Sequence, residues 1–85
     1  MTNAWFVYLV RCADDSLYCG ISTDVERRVG EHNSASIKSA KYTRNRLPVT
    51  LVYFEECDDR SHASKREWAI KQLTRKKKLE LITAG

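Results

Sequence analysis

Tyr8 and Tyr18 stand ten residues apart on either side of Asp14-Asp15-Ser16, a triplet with turn chemistry. They therefore fall on the two arms of one expected hairpin. With the turn centred on Asp14, paired positions sum to about 28, which sets Gly20 opposite Tyr8 and makes Tyr18 its diagonal neighbour, within ~8 Å. Glycine inside a strand marks close approach by a ligand or another backbone. Two phenols beside such an opening suit a hydrolytic reaction. Tyrosine ordinarily ionises near pH ~10, and a neighbouring cation or metal lowers that value. The alternative is two ordinary strand tyrosines.

Arg28 and His32 lie four residues apart and share one face of an expected helix. Val25 and Val29 mark the inward stripe of the same helix, and Arg28 and His32 complete its spacing. Arg27 is rotated by about 100° and faces solvent. A guanidinium and an imidazole on a sheet-facing edge are costly unless they meet an anion or a partner. Alternatively, Arg28 snorkels and His32 is a satisfied boundary residue. Glu67 repeats the pattern on a later helix, inside the stripe of Ala63, Ile70 and Leu73. A carboxylate there calls for a cation, either a metal or an arginine such as Arg28.

The elements that must position these groups follow from local pattern. Trp5 to Val10 is a β-branched and aromatic run, expected as a strand buried on both faces, and Leu17 to Ile21 is the return strand. Thr23 and Glu26 have capping-box spacing, which predicts a helix from Asp24 to Asn33 capped by Thr23. Val49 to Phe54 reads as a third strand. Asp59 or Ser61 caps a second helix reaching Leu73, and Thr74 caps a short last helix carrying Leu79 and Ile82. The order β-β-α-β-α-α predicts an α+β fold: a small three-stranded mixed or antiparallel sheet flanked by about three helices. Trp5 and Trp68 are expected as core anchors.

At 85 residues the chain is expected to form one domain, residues 1–85, with no separate recognition module. Hydrophobic residues at 42% and charged residues at 31% fit a globular protein rather than a disordered tail. No apolar run approaches a membrane span, and Met1-Thr2-Asn3-Ala4 lacks signal-peptide features, so a cytoplasmic location is expected. Cys12, Cys19 and Cys57 are odd in number and lack zinc-finger spacing.

Charge is distributed unevenly. Residues 35–54 carry Lys38, Lys41, Arg44 and Arg46 with no acid, and residues 60–85 carry eight basic side chains against Glu67 and Glu80. If the two segments meet, they form an anion-binding face; if not, they are a solvated surface. Lys38, Lys41, Tyr42, Thr43, Arg44 and Arg46 form a loop of the kind that contacts phosphates without reading sequence. Lys76 and Lys77 stand in the first turn of the last helix, where cations oppose the helix dipole. That placement makes sense facing a phosphate backbone, as does Lys71. The alternative is that these lysines cap the end of the second helix.

Taken together, these residues resemble the GIY-YIG nuclease superfamily. Val7-Tyr8-Leu9 is similar to its first motif and Tyr18-Cys19-Gly20 to its second. Arg28, His32 and Glu67 match the arginine, histidine and glutamate that follow in family order. Ala40-Lys41-Tyr42-Thr43 is similar to a loop of the structure-specific members that cut branched DNA. The resemblance runs from Trp5 to Ile82 and is nearest to the small stand-alone bacterial branch. Val7 and Cys19 stand where the motif names show isoleucine, and Phe6 replaces the first glycine.

The resemblance implies a metal-dependent DNA endonuclease of low intrinsic sequence specificity, possessing one Mg²⁺ (or Mn²⁺) held by Glu67. It implies Tyr8 as general base, Tyr18 positioning water or phosphate with His32 in support, Arg28 bracing the phosphate oxygens, and Gly20 keeping space. Repair or recombination is the implied setting, with duplex or branched DNA as substrate, a protein partner supplying specificity, and no membrane. The competing class is a non-catalytic nucleic-acid-binding module of the same fold. Filled catalytic positions favour the enzyme.

Overall fold

The computed structural model describes residues 4–34 and 45–84. Strand β1 (Trp5–Arg11) is the run of β-branched and aromatic residues, and Val7 to Val10 are all buried. It turns into β2 (Leu17–Ser22) through Asp15, which adopts φ 68°. Asp14 fixes the turn by accepting hydrogen bonds from the Ser16 backbone N–H at 3.1 Å and the Ser16 hydroxyl at 2.5 Å. The register pairs Tyr8 with Gly20 and Val10 with Tyr18, as the turn-centred count predicts.

β3 (Thr50–Cys57) pairs with the other edge of β1, giving the order β2-β1-β3. Both pairings are antiparallel, so the sheet is antiparallel throughout rather than mixed. A register shift between Leu9 and Val10 bends the β1–β3 pairing. β3 also runs three residues past Phe54. Glu55 fits within the strand because its carboxylate accepts from the Tyr53 hydroxyl and the Arg66 guanidinium. Together with the helices this is an α+β fold.

Because β1 is central, its alternating side chains feed two cores. Val7 and Leu9 join Cys19, Cys57, Ala63 and Ile70 on the face covered by α2 (Arg60–Lys71) and α3 (Arg75–Ala84). Tyr8 and Val10 join Cys12 and Val49 on the opposite face, with Val25 and Val29 of α1 (Val25–Asn33) packed against them. The three cysteines are free and buried.

The N-cap of α1 is Asp24 rather than Thr23. The Ser22 hydroxyl accepts from the Asp24 N–H at 3.0 Å and donates to the Asp24 carbonyl at 3.1 Å, which brings the aspartate side chain onto the Arg27 N–H. Asp59 caps α2 through the His62 N–H at 2.8 Å, and the Thr74 hydroxyl accepts from the Lys77 N–H at the start of α3. At the other end of α1, Asn33 receives the Val49 N–H at 2.7 Å and donates to the Val49 carbonyl at 3.0 Å, tying the helix to the start of β3.

Trp5 is half-buried against the first core, with the Arg60 guanidinium 5.7 Å from its ring. Trp68 is not a core anchor: it is 67% exposed. Its position is roughly 140–160° around the helix from Ala63 and Ile70, so aromatic character was outweighed by helical angle. Among the described residues, no helix is long and apolar enough to cross a membrane.

Candidate active site

Four of the five chemistry-bearing residues come together on the α1 face of the sheet. β1 supplies Tyr8, β2 supplies Tyr18 and Gly20, and α1 supplies Arg28 and His32. The Tyr8 hydroxyl lies 3.1 Å from His32 Nε2, and both residues are essentially inaccessible to solvent. The Tyr18 ring meets the same imidazole edge-on, centroids 5.5 Å apart, and Tyr18 is only partly buried. His32 is thus held between the two phenols.

Gly20 makes this packing possible. A Cβ built there would stand 2.6 Å from the Tyr8 hydroxyl and 2.7 Å from Cζ. Among the described residues no glycine has positive φ, so the requirement at position 20 is space for the phenol rather than an unusual backbone.

Arg28 lies near enough to Tyr8 for its charge to oppose the rise in the phenol's pKa, and it pairs with Glu31 at 3.1 Å, with both members of the ion pair about a quarter exposed. Glu31 was not singled out from sequence, although its i, i+3 relation to Arg28 was there to find. Among the described residues Arg28 forms its ion pair with Glu31, and Glu67 forms its own with Lys71 at 3.5 Å.

Electrostatics keep the buried pair neutral. Burial pushes the Tyr8 phenol up to about 12, with Tyr18 adding to the rise and Arg28 opposing it. Burial and the nearby Arg28 charge lower the His32 pKa, with Glu31 acting against them. At neutral pH a protonated phenol therefore faces an unprotonated imidazole. That arrangement can pass a proton from the hydroxyl to the ring when Nε2 is the acceptor.

Glu67 is positioned differently. It lies in the sheet-facing stripe of α2, and its carboxylate is, after burial, the strongest influence raising the Cys19 thiol. Cys19 points to the α2 side, whereas its chain neighbours Tyr18 and Gly20 belong to the α1 side. The acid and the phenols thus flank the same stretch of the edge strand β2. Among the described residues, no hydrogen bond or ion pair joins Glu67 to the Tyr8–His32 group. Nor do the described residues contain any group of three or more His, Cys, Asp and Glu able to hold a metal. An ion at Glu67 would have one protein carboxylate, now paired with Lys71, and would have to complete its shell with water and phosphate oxygens.

The basic groups converge in part. Arg46, of the central basic segment, pairs with Asp14 at 3.0 Å, and Arg75, of the C-terminal segment, donates to the Asp15 carbonyl at 2.7 Å. Both segments therefore anchor on the β1–β2 turn. Lys76 and Lys77 are exposed on the first turn of α3, where Lys77 pairs with Glu80 at 3.7 Å. Lys38, Lys41, Tyr42, Thr43 and Arg44 lie outside the described residues.

Residues 4–80 match the family described as the GIY-YIG catalytic domain. A UPF0213 protein of Desulfotalea psychrophila is 62% identical over 96% of this chain and 74% of its own length. One from Haloquadratum walsbyi is 54% identical over 100% of this chain and 93% of its own. Among solved structures, the solution NMR structure of a UPF0213 protein from Bacillus halodurans superposes with a TM-score of 0.60 at 40% identity, covering 95% of this chain and 84% of that one. A solution NMR structure of an E. faecalis protein gives 0.63 at 41% identity, covering 99% and 90%.

Proposed function

Because the chain belongs to the GIY-YIG nuclease family, we propose that it is a metal-dependent endonuclease that hydrolyses DNA phosphodiester bonds with little intrinsic sequence specificity. The observation that carries this reading is the buried Tyr8–His32 contact with Tyr18 and Arg28 around it. A phenol, an imidazole and a guanidinium gathered on one sheet face are more than packing requires.

Tyr8 is the general base in this reading. Tyr8 is almost wholly buried, so in this reading the attacking water reaches its oxygen from the more accessible Tyr18 side and gives it a proton while the Tyr8 hydroxyl proton passes to His32 Nε2. The nascent hydroxide adds to phosphorus, the scissile P–O bond breaks, and the leaving oxygen takes a proton from solvent. Relay through His32 matters because a phenol raised to about 12 is a weak source of phenolate at neutral pH. Tyr18, the more accessible phenol, positions water or phosphate. Arg28 braces the non-bridging oxygens with its fork. Glu67 would hold a single divalent ion, Mg²⁺ or Mn²⁺, which when bound supplies Lewis-acid stabilisation of charge on phosphate and leaving oxygen.

Arg46, Lys71, Lys76 and Lys77, with the loop bearing Lys38, Lys41, Tyr42, Thr43 and Arg44, bind the DNA backbone. Low sequence readout leaves selection to DNA structure or to a protein partner, as suits repair or recombination.

The test is nicking of plasmid and branched DNA with Mg²⁺, run beside Glu67→Ala and Tyr8→Phe. Cleavage lost in both variants supports the assignment. Cleavage that survives Glu67→Ala unchanged points to a contaminating nuclease, and binding without cleavage in any metal overturns the reading in favour of a non-catalytic module.

A further inference from the structure

Trp68 projects from α2 with two-thirds of its surface in solvent. An indole left this exposed forgoes most of the burial that normally holds tryptophan in a fold. Its helical neighbours are informative. Lys65 and Lys71 stand at i−3 and i+3, both exposed, so two lysines share the helix face of the ring, Lys71 with its ammonium 3.5 Å from the Glu67 carboxylate. Ser64 and Gln72 complete the surround at i−4 and i+4, both polar and exposed. Glu67 is the adjacent residue in the chain, turned about 100° toward the sheet. An apolar protein partner would be poorly served by this rim of cations. A nucleobase suits it well, because its face stacks on indole while its phosphates meet the lysines.

We infer that Trp68 is a stacking platform for an unpaired base of the nucleic acid substrate, with Lys65 and Lys71 gripping the adjoining phosphates. The inference rests on the nuclease reading for its substrate but adds a preference that reading lacks: single-stranded or frayed DNA over intact duplex, whose bases already stack on one another. A base held on Trp68 lies one residue along the helix from Glu67, so the platform would register the strand against the acid that the proposed reaction uses.

The test is binding in EDTA, where cleavage does not intervene. A Trp5→Phe background leaves Trp68 as the sole tryptophan, and its fluorescence is followed while a dT12 oligonucleotide or a blunt 12-base-pair duplex is titrated. If Trp5→Phe folds poorly, fluorine NMR of 5-fluorotryptophan-labelled wild-type protein gives the same readout. Quenching by dT12 but not by duplex is expected. Affinity for dT12 should fall about tenfold in Trp68→Ala and recover largely in Trp68→Phe, since any aromatic face can stack. Unchanged dT12 affinity in Trp68→Ala, absence of quenching, or self-association lost on Trp68→Ala would each overturn the inference, the last by assigning the ring to a second copy of the chain.

The two readings fail separately. Cleavage of single-stranded DNA by Trp68→Ala with wild-type KM leaves the nuclease standing and removes the platform. Stacking without cleavage in any metal keeps the platform and removes the nuclease.

Discussion

The Tyr8 hydroxyl and His32 Nε2 face each other at 3.1 Å in a spot sealed from solvent, one from the central strand and the other from the last turn of the first helix. Burial favours the neutral form of both groups, raising the phenol and lowering the imidazole. The contact therefore joins two uncharged groups and is not an ion pair, and in the proposed reaction it is the proton path.

Removing the hydroxyl tests that path. Tyr8→Phe keeps the ring that fills the second core and deletes only the oxygen. Loss of one buried hydrogen bond should cost about 1 kcal/mol of stability, while cleavage should fall on the order of 10²- to 10⁴-fold. Thermal unfolding and plasmid nicking on the same preparation check both. A variant that still cuts at wild-type rate would remove Tyr8 from the chemistry.

The pH dependence of stability follows from the same two shifts. His32 has a folded pKa below its ordinary 6.5, so the unfolded chain binds the proton first. The stability tied to its neutral form is present above 6.5 and lost as pH falls through the lowered folded value. Tyr8 shifts the other way, from 10.0 to about 12. Its contribution is complete below 10 and disappears as pH climbs toward 12. Denaturation midpoints measured from pH 4 to 11 should decline at both ends, and Tyr8→Phe should flatten the alkaline decline.

Gly20→Ala should break the arrangement by crowding. The new methyl would fall 2.6 Å from the Tyr8 hydroxyl, and the phenol has no solvent gap to retreat into. Overpacking of this kind costs roughly 1–3 kcal/mol, and Tyr8 should leave His32. Cleavage should drop nearly as far as in Tyr8→Phe. Full activity would show that the phenol can be displaced harmlessly.

The hairpin was legible because one turn sets every pair: Asp14 to Ser16 alone place Gly20 opposite Tyr8. The α1 face was legible because Val25 and Val29 define where Arg28 and His32 point. Partners were harder. Arg28 found Glu31 three residues away and Glu67 found Lys71 four residues away, local pairings that spacing permits but does not choose between. The Asn33–Val49 clamp spans sixteen residues and has no sequence signal at all. Trp68 lies outside the core because its angle from Ala63 and Ile70 overrides its residue type.

That clamp carries its own prediction. Asn33→Ala removes the two side-chain hydrogen bonds to the Val49 backbone that tie α1 to the start of β3, but none of the chemistry-bearing groups. A loss of about 2 kcal/mol corresponds to roughly 8–16 °C in Tm for a chain of this size. Cleavage measured well below the new Tm should stay near wild type. If activity fell in proportion to stability at every temperature, the clamp would also be setting the position of His32.

Glu67→Ala should separate function from stability in the opposite sense. The carboxylate is half-buried within an apolar stripe between Ala63 and Ile70, and its Lys71 partner is half-exposed. An i, i+4 pair of that kind contributes only about 0.3–0.5 kcal/mol, and alanine has the better helix propensity. The variant should therefore unfold at or slightly above the wild-type temperature. Metal-dependent cleavage should nonetheless disappear, as it should on chelation of the wild-type protein with EDTA, and titration calorimetry should show Mn²⁺ binding in wild type but not in the variant. The Cys19 thiol supplies an independent check on position, because loss of a nearby negative charge should lower its pKa from about 12. A lowered thiol pKa with cleavage intact would place Glu67 beside β2 as the fold has it, yet outside the reaction.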